Sequence, residues 1–259
     1  MILFAESQVL DVRAVTFGLS GTLYPLACHP FRRARFYARH HRFLSSFRDV
    51  REELRERGRV GDFDLQLIRG LSSVLGVSPQ EAAIRFHDVI GREWLETLRG
   101  VRIYPGVRPF LEELVAQGVL LGIISDAYGR ERLEHLGLSD FPWQIITAPE
   151  ATGALKPHPA AFQVAREQLQ VPSGKILHIG SRMDLDVIGA HRAGFNCALK
   201  RPGLVGLVSR SMIHRSPRMP PRVVLPRDEA RPSWAEREDV PEFTFASFYE
   251  LLGRVAGPR

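Results

Sequence analysis

The sequence contains two cysteines, no long apolar run and no recognisable export signal. Cys28 and Cys197 lie far apart and show no metal-type spacing, so they predict neither a disulfide framework nor a metal site, and both are expected to be reduced. No apolar stretch approaches the roughly 20 residues that a membrane-spanning helix needs. The N-terminal residues lack the basic start and long apolar run of a signal peptide. We therefore expect a cytoplasmic protein without a membrane partner.

The composition is that of an ordinary globular protein, with 44% hydrophobic and 25% charged residues, which excludes disorder as the dominant state. A chain of 259 residues can bury one sizeable core, with room for a smaller accessory domain. The net charge of +6 is uneven, because residues 32–59 contain ten arginines against four acidic residues. Such a face can attract nucleic acid, acidic protein or a phosphorylated ligand, although a solvated arginine-rich helix is the simpler interpretation.

Short apolar runs alternate with amphipathic segments along most of the chain. Strands are predicted over 9–16, 119–125, 144–147 and 175–180, and helices over 107–117, 160–169 and 184–193. This alternation predicts parallel βαβ units, and hence an α/β fold with a doubly wound, Rossmann-like parallel sheet. Ligands of such sheets bind outside the carboxyl ends of the strands, so we searched those ends for functional residues.

A helical insert is predicted between the first two strands. One stripe of a first helix carries the apolar residues Phe36, Phe43, Phe47, Val50 and Leu54 at helical spacing. A second helix is predicted to begin at Ser78, which is followed by proline and then by Glu81 in capping-box spacing. We therefore predict a core over 9–24 and 101–252, a helical cap over 25–100, and a Pro/Arg-rich extension over 201–241 within the C-terminal part of the core.

Four short segments follow predicted strands and carry the candidate site residues, which are Gly18, Ser20, Gly21 and Thr22 in the first, Ser125 in the second, Lys156 in the third, and Ser181 and Asp186 in the fourth. In order and spacing they resemble the four motifs of the haloacid dehalogenase (HAD) superfamily of hydrolases with a helical cap. The resemblance covers residues 9–252 apart from the extension. It implies the HAD-like fold and a phosphatase-type pocket.

The first motif departs from the family pattern. In the family it reads Asp-x-Asp-Gly-Thr, where the first aspartate attacks phosphorus and the second protonates the leaving oxygen and then activates water. Here Gly18-Leu19-Ser20 replaces Asp-x-Asp, so the nucleophile and the general acid are both absent. The retained Gly21 and Thr22 indicate that the loop backbone still closes as a phosphate cradle.

The other motifs are partly retained. The resemblance implies that Ser125 hydrogen-bonds a phosphate oxygen and that Lys156 neutralises the phosphoryl group, whereas a locally bonded serine and a solvated lysine are the plainer alternatives. Ser181 replaces an acid that helps to hold Mg²⁺, which leaves Asp186 as a weak remnant, so we expect no cofactor and weak or absent Mg²⁺ binding. Asp184 and Asp186 are expected instead to cap the following helix or to pair with Lys156.

Three interpretations of function follow. The main one is a catalytically inactive HAD-like protein, a pseudo-phosphatase that binds a phosphorylated small molecule or anion through Gly21, Thr22, Ser125 and Lys156, or a partner protein through the basic cap or the extension. The first alternative is an active HAD-type phosphohydrolase with a substitute nucleophile such as Asp126, whose side chain should alternate away from that of Ser125. Nucleic-acid binding by the basic cap is the least favoured.

Overall fold

A six-stranded parallel sheet forms the centre of the fold. The computed structural model describes residues 1–4, 9–25, 29–201 and 240–256, so Cys28 and residues 202–239 of the predicted extension lie outside the described residues. In chain order the strands are β1 (Ile2–Phe4), β2 (Val9–Asp11), β3 (Ala14–Phe17), β4 (Leu120–Ile124), β5 (Trp143–Thr147), β6 (Ile176–Gly180), β7 (Asn196–Lys200), β8 (Phe243–Phe245) and β9 (Val255–Ala256). The parallel sheet has the order β5-β4-β3-β6-β7-β8, which confirms the predicted doubly wound α/β architecture.

The predicted strand over 9–16 is two strands in different sheets. Residues Val9–Asp11 pair antiparallel with β1, whereas Ala14–Phe17 lies between β4 and β6 in the parallel sheet. The chain changes sheets at Val12 and Arg13, whose N–H groups donate to the carbonyls of Met1 and Lys175 respectively. Strand β9 pairs with the other edge of β1, which completes a small antiparallel sheet of order β2-β1-β9.

Helices cover both faces of the parallel sheet. They are α1 (Pro30–Arg57), α2 (Phe63–Leu75), α3 (Pro79–Phe86), a π-helical segment (His87–Trp94), α4 (Val107–Ala116), α5 (Gly129–His135), α6 (Pro149–Thr152), α7 (Ala160–Leu169), a 3₁₀ turn (Ser173–Lys175), a π-helical turn (Met183–Val187), α8 (Ile188–Arg192) and α9 (Phe248–Arg254). In one apolar cluster Phe110 of α4 packs with Phe17 of β3, and in another Phe162 of α7 packs with Val187. Within the described part of the chain, no helix combines the length and the apolar character that crossing a membrane requires.

Residues 30–94, which we call the helical insert, have an apolar cluster of their own. Of the predicted stripe on α1, Phe36, Phe43, Val50 and Leu54 are buried, and Phe47 is partly buried against the same cluster. Ser78 caps α3 as the sequence indicates, because its Oγ accepts the N–H of Glu81 at 3.2 Å. The insert thus has the helices expected for 25–100, whereas the assignment of that range as a separate domain stays a prediction.

Gly153, at the end of α6, fixes the contact between the sheet and the helical insert. Its φ is +69°, and a Cβ atom there would lie 2.3 Å from the carbonyl oxygen of Val60. Gly118 has a similar φ of +67° but open space around it. We expect Gly118→Ala to cost about 1 kcal/mol through backbone strain alone. Gly153→Ala should cost clearly more, because it also forces α6 and the insert apart, and urea unfolding of both variants measures the difference. Equal losses would show that Val60 moves aside freely.

Candidate active site

The carboxyl ends of three adjacent strands bring the predicted site residues together. Strand β3 lies between β4 and β6 with Phe17 paired to both Ile123 and Ile179, so Gly18, Ser125 and Ser181 follow at the same edge of the sheet. The N–H of Gly18 continues the ladder by donating to the carbonyl of Ile179 at 2.9 Å. The parallel register thus places the first, second and fourth motifs at one edge, as the sequence predicts.

Lys156 and Asp186 form a buried ion pair at this edge. The Nζ atom of Lys156 lies 2.6 Å from Oδ1 of Asp186 and also donates to the carbonyl of Ile124 at 3.2 Å. Oδ2 of Asp186 accepts the N–H groups of Ser181 and Arg182 at 2.9 and 3.0 Å. Both side chains are more than nine-tenths buried, so Lys156 is not the solvated lysine of the plainer alternative. Pairing with Lys156 was one of the two roles expected for Asp186.

The environment of Asp186 keeps it ionised. Burial raises the pKa of the Asp186 carboxyl, but the charge of Lys156 and the ring of His178 outweigh it and hold the pKa far below its ordinary value. Burial lowers the pKa of His178, so the ring is neutral at pH 7. Its Nδ1 lies 3.0 Å from Oγ1 of Thr16, whereas its Nε2 lies 3.6 Å from Oδ1 of Asp186 and has no hydrogen-bond partner.

Gly18 faces the Asp186 carboxylate. A Cβ atom built on Gly18 would lie 3.5 and 3.6 Å from the two oxygens of Asp186 and 3.1 Å from Oγ1 of Thr22. A carboxylate thus lies beside the position of the missing nucleophile, although it comes from the π-helical turn after β6. The hydroxyl of Thr22 is buried and has no hydrogen-bond partner among the described residues.

The loop after Gly18 closes on itself. The N–H of Gly21 donates to the carbonyl of Tyr24 at 2.8 Å, and the N–H of Thr22 donates to the carbonyl of Leu19 at 3.1 Å. Gly21 has a φ of +77°, a left-handed conformation that favours glycine. These two amides are therefore engaged inside the turn, and their role as a phosphate cradle stays a prediction.

Ser125 makes local hydrogen bonds. Its Oγ donates to the carbonyl of Ala127 at 2.7 Å, and it accepts the N–H of Ala127 and a guanidinium N–H of Arg132, both at 3.2 Å. This arrangement agrees with the locally bonded alternative. Contact of Ser125 with phosphate stays a prediction.

Sequence reasoning missed Arg132, on α5. This arginine is 5% exposed, and its guanidinium lies near the rings of Tyr24 and Trp94, 5.6 and 5.4 Å from their centres. It donates to the hydroxyl groups of Ser20, Tyr24 and Ser125 and to the carbonyl of Ala127. No motif marks it among the many arginines of the chain, because its partners Ser20 and Tyr24 lie more than a hundred positions away in sequence.

Asp126 faces the helical insert. Its Oδ1 accepts the backbone N–H of Lys156 at 3.1 Å, and its Oδ2 lies 3.7 and 3.6 Å from the guanidinium groups of Arg51 and Arg55 of α1. Nε of Arg55 also donates to the carbonyl of Lys156 at 2.7 Å. Asp126 thus links α1 to the Lys156 loop, which agrees with the expectation that it points away from Ser125.

The donor set does not fit Mg²⁺. Magnesium prefers octahedral coordination by oxygen atoms that include carboxylates, but positions 18 and 181 carry glycine and serine, and the ammonium group of Lys156 lies 2.6 Å from Oδ1 of the remaining carboxylate, Asp186. Among the described residues, no group of three or more His, Cys, Asp or Glu side chains could hold a metal ion. The expectation of weak or absent Mg²⁺ binding stays a prediction.

Some arginines of α1 lie beside the site, and others line a surface cleft. Arg51 and Arg55 reach the strand ends through Asp126, as described above. Others border a surface cleft of about 500 Å³ between α1 and the segment around His87–Trp94, which is lined by Arg32, Arg35, Arg39, Arg92 and Arg99 together with Glu93 and Glu96. The basic face expected from the sequence is therefore divided between solvent and the site.

The fold and the site define a Rossmann-like α/β protein with its functional groups at the carboxyl ends of the central strands. A model of the haloacid dehalogenase-like hydrolases matches residues 12–194, and the chain belongs to that family. Solved structures with this fold include a HAD phosphatase from Thermococcus onnurineus (TM-score 0.53, 21% identity, covering 96% of this chain and 100% of that one) and the L-2-haloacid dehalogenase from Xanthobacter autotrophicus (TM-score 0.57, 21% identity, covering 93% and 96%).

Curated relatives of the chain are named phosphatases. The glyceraldehyde 3-phosphate phosphatase of Methanopyrus kandleri is 30% identical over 202 residues, which cover 71% of this chain and 81% of the relative. The 5-amino-6-(5-phospho-D-ribitylamino)uracil phosphatase YigB of Escherichia coli is 27% identical over 205 residues, covering 74% and 84%. A phosphoglycolate phosphatase of Rhodospirillum rubrum is 31% identical over 102 residues, covering 38% and 42%.

These names contradict the main interpretation of the sequence. The interpretation as a catalytically inactive protein that acts only by binding is wrong on this comparison. The alternative, an active phosphohydrolase with a substitute nucleophile, is better supported. The main interpretation inferred a missing function from the missing carboxylate side chain at position 18. Position 18 lacks a carboxylate of its own, yet that of Asp186 lies beside it.

Proposed function

We propose that the chain is a phosphohydrolase of small phosphate monoesters in which Asp186 replaces the missing nucleophile. The observation that carries the proposal is the distance of 3.5 Å between Oδ1 of Asp186 and the Cβ position of Gly18. The relatives support the proposed substrate class, because their names all denote phosphatases of small phosphorylated compounds. The predicted phosphorylated small molecule is then a substrate, whereas a protein partner and a cytoplasmic location stay predictions.

Asp186 suits the role better than Asp126. Its low pKa keeps the carboxylate ionised, and a buried lysine lies against it to neutralise an incoming phosphoryl group. Each carboxylate oxygen has two lone pairs, so Oδ1 can accept from Lys156 and still attack phosphorus. Asp126, in contrast, faces Arg51 and Arg55 of the helical insert.

The proposed reaction has two displacements at phosphorus. An oxygen of Asp186 forms a bond to phosphorus as the bond to the ester oxygen breaks, and the leaving oxygen takes a proton from solvent. Water then attacks the phosphorus of the acyl phosphate, which releases inorganic phosphate and regenerates the Asp186 carboxylate. Position 20 carries serine, whose hydroxyl is too weak an acid to protonate the leaving oxygen at neutral pH. We therefore expect slow turnover that favours good leaving groups.

The test compares substrates and variants. We expect 4-nitrophenyl phosphate to be hydrolysed faster than a simple alkyl phosphate, because only the aryl ester leaves readily without an acid. Asp186→Asn should remove the activity, and Asp126→Asn should retain it. Intact-protein mass spectrometry of acid-quenched wild type should show a phosphoryl adduct that Asp186→Asn lacks. Background rates in wild type and in a Lys156→Ala control alike would refute the proposed function.

A further inference from the structure

Arg132 is a buried cation without an acidic partner among the described residues. Every carboxylate ion pair of the central site involves another cation, whereas Arg132 donates only to hydroxyl and carbonyl groups. Its Nε atom is buried and has no hydrogen-bond partner in the described part of the chain. Burying a charge is costly unless an opposite charge offsets it, and neutral hydrogen bonds offset it only in part. The described residues therefore supply the guanidinium with no counter-ion.

The surroundings of Arg132 indicate where an anion would enter. Its guanidinium donates to the hydroxyls of Ser20 and Ser125, at the ends of strands β3 and β4. Ser20 and Gly21 are partly exposed, so this side of the guanidinium lies near the surface. Lys156 donates to the carbonyl of Ile124, next to Ser125, so two cations lie at the end of the same strand.

We propose that Arg132, with the hydroxyls of Ser20 and Ser125, binds a phosphoryl oxyanion at the carboxyl end of strand β4. That the anion is a phosphoryl group rests on the proposed function. That an anion binds there at all rests on the buried charge of Arg132, which no described acidic residue compensates. The Nη1 and Nη2 atoms already donate two hydrogen bonds each, so the Nε–H is the group that can donate to an oxyanion directly. A second, parallel hydrogen bond forms when the anion replaces one of the hydroxyl acceptors. Arg132 is thereby a phosphate-binding residue for the reaction, and Asp186 attacks from the π-helical turn that follows β6.

Inorganic phosphate tests this inference without requiring turnover. We expect calorimetry to show phosphate binding to the full chain in buffer with a metal chelator. Arg132→Gln should weaken it by at least about tenfold, which corresponds to the loss of one charge-assisted hydrogen bond. Arg130→Gln is the matched control, because Arg130 lies two positions away on the same helix and is exposed. Arg132→Lys should recover only part of the affinity, since lysine keeps the charge but loses the fork.

A second variant retains the arginine and guards against misfolding of Arg132→Gln. Ser20→Asp places a carboxylate against the guanidinium, which should raise the midpoint of thermal unfolding and abolish phosphate binding. Phosphate affinity that is equal in wild type, Arg132→Gln and Ser20→Asp would overturn the inference, as would no binding to any of them. Phosphate binding that depends on Arg132 without turnover would refute the proposed function alone. Turnover with phosphate affinity independent of Arg132 would refute this inference alone.

Discussion

Restoring aspartate at positions 18, 20 and 181 together is expected to leave the hydrolysis of alkyl phosphates slow until Arg132 is also replaced. The hydroxyl of Ser20 accepts a hydrogen bond from Arg132, so an aspartate at position 20 would pair with the guanidinium. That pairing lowers the pKa of the carboxyl and removes the proton that a general acid must supply. Adding Arg132→Gln frees the acid but weakens phosphate binding, so we expect kcat for a simple alkyl phosphate in saturating Mg²⁺ to rise at least about 10²-fold while KM also rises.

A Cβ atom fits at position 18 after a small adjustment. A Cβ atom at position 18 contacts Oγ1 of Thr22 at 3.1 Å, a contact that a shift of a few tenths of an ångström relieves. Steady-state rates are compared for wild type, Arg132→Gln, the triple variant and the quadruple variant. A triple variant as fast as the quadruple variant would show that Arg132 does not hold the acid in its ionised form.

Lys156→Met is expected to cost about 3–5 kcal/mol of the free energy of unfolding, because it leaves the Asp186 carboxylate buried without its cation. The double variant Lys156→Met/Asp186→Asn should be markedly more stable than the single variant. It removes both charges, and the amide oxygen of asparagine can still accept the N–H groups of Ser181 and Arg182. Urea unfolding at pH 7 measures the three proteins. A double variant no more stable than Lys156→Met would show that the ion pair is not the source of the loss.

The pH dependence gives an independent check on the same pair. The pKa of Asp186 is lowered in the folded protein, so its contribution is fully present above the ordinary carboxyl pKa of 3.8 and is lost as the pH falls toward the folded value. Wild type should therefore lose stability below about pH 4 more steeply than the double variant. His178, whose pKa is also lowered, adds a loss below its ordinary pKa of 6.5 in both proteins.

Local patterns in the sequence were sufficient to predict most of the fold. Each apolar run predicts one strand or helix by itself, as those around β4, β5 and β6 and the stripe on α1 show. Burial of the apolar residues favours that element whatever its neighbours in the fold. The break between β2 and β3 gave no such signal, because no glycine or proline interrupts residues 9–17 where the chain passes from one sheet to another. That choice depends on partners at Met1 and Lys175, which a local pattern cannot reveal.

The site residues that belong to sequence motifs could be predicted, whereas those placed by long-range contacts could not. Gly18, Ser125, Lys156 and Asp186 were placed at one edge because the carboxyl ends of parallel strands meet there. Arg132 reaches Ser20 across the sheet from another helix, so its role depends on tertiary packing alone. The error in function has the same origin. The missing carboxylate at Gly18 was considered without the carboxylate of Asp186, which tertiary packing brings beside it.

Arg55 of α1 joins the helical insert to the backbone of Lys156. The carbonyl of Lys156 accepts from Arg55 and its N–H donates to Asp126, which also faces Arg55. The lysine side chain is held separately, by Asp186 and by the carbonyl of Ile124. A substitution of Arg55 therefore reaches the site through the main chain of this loop and leaves both partners of the buried ion pair in place.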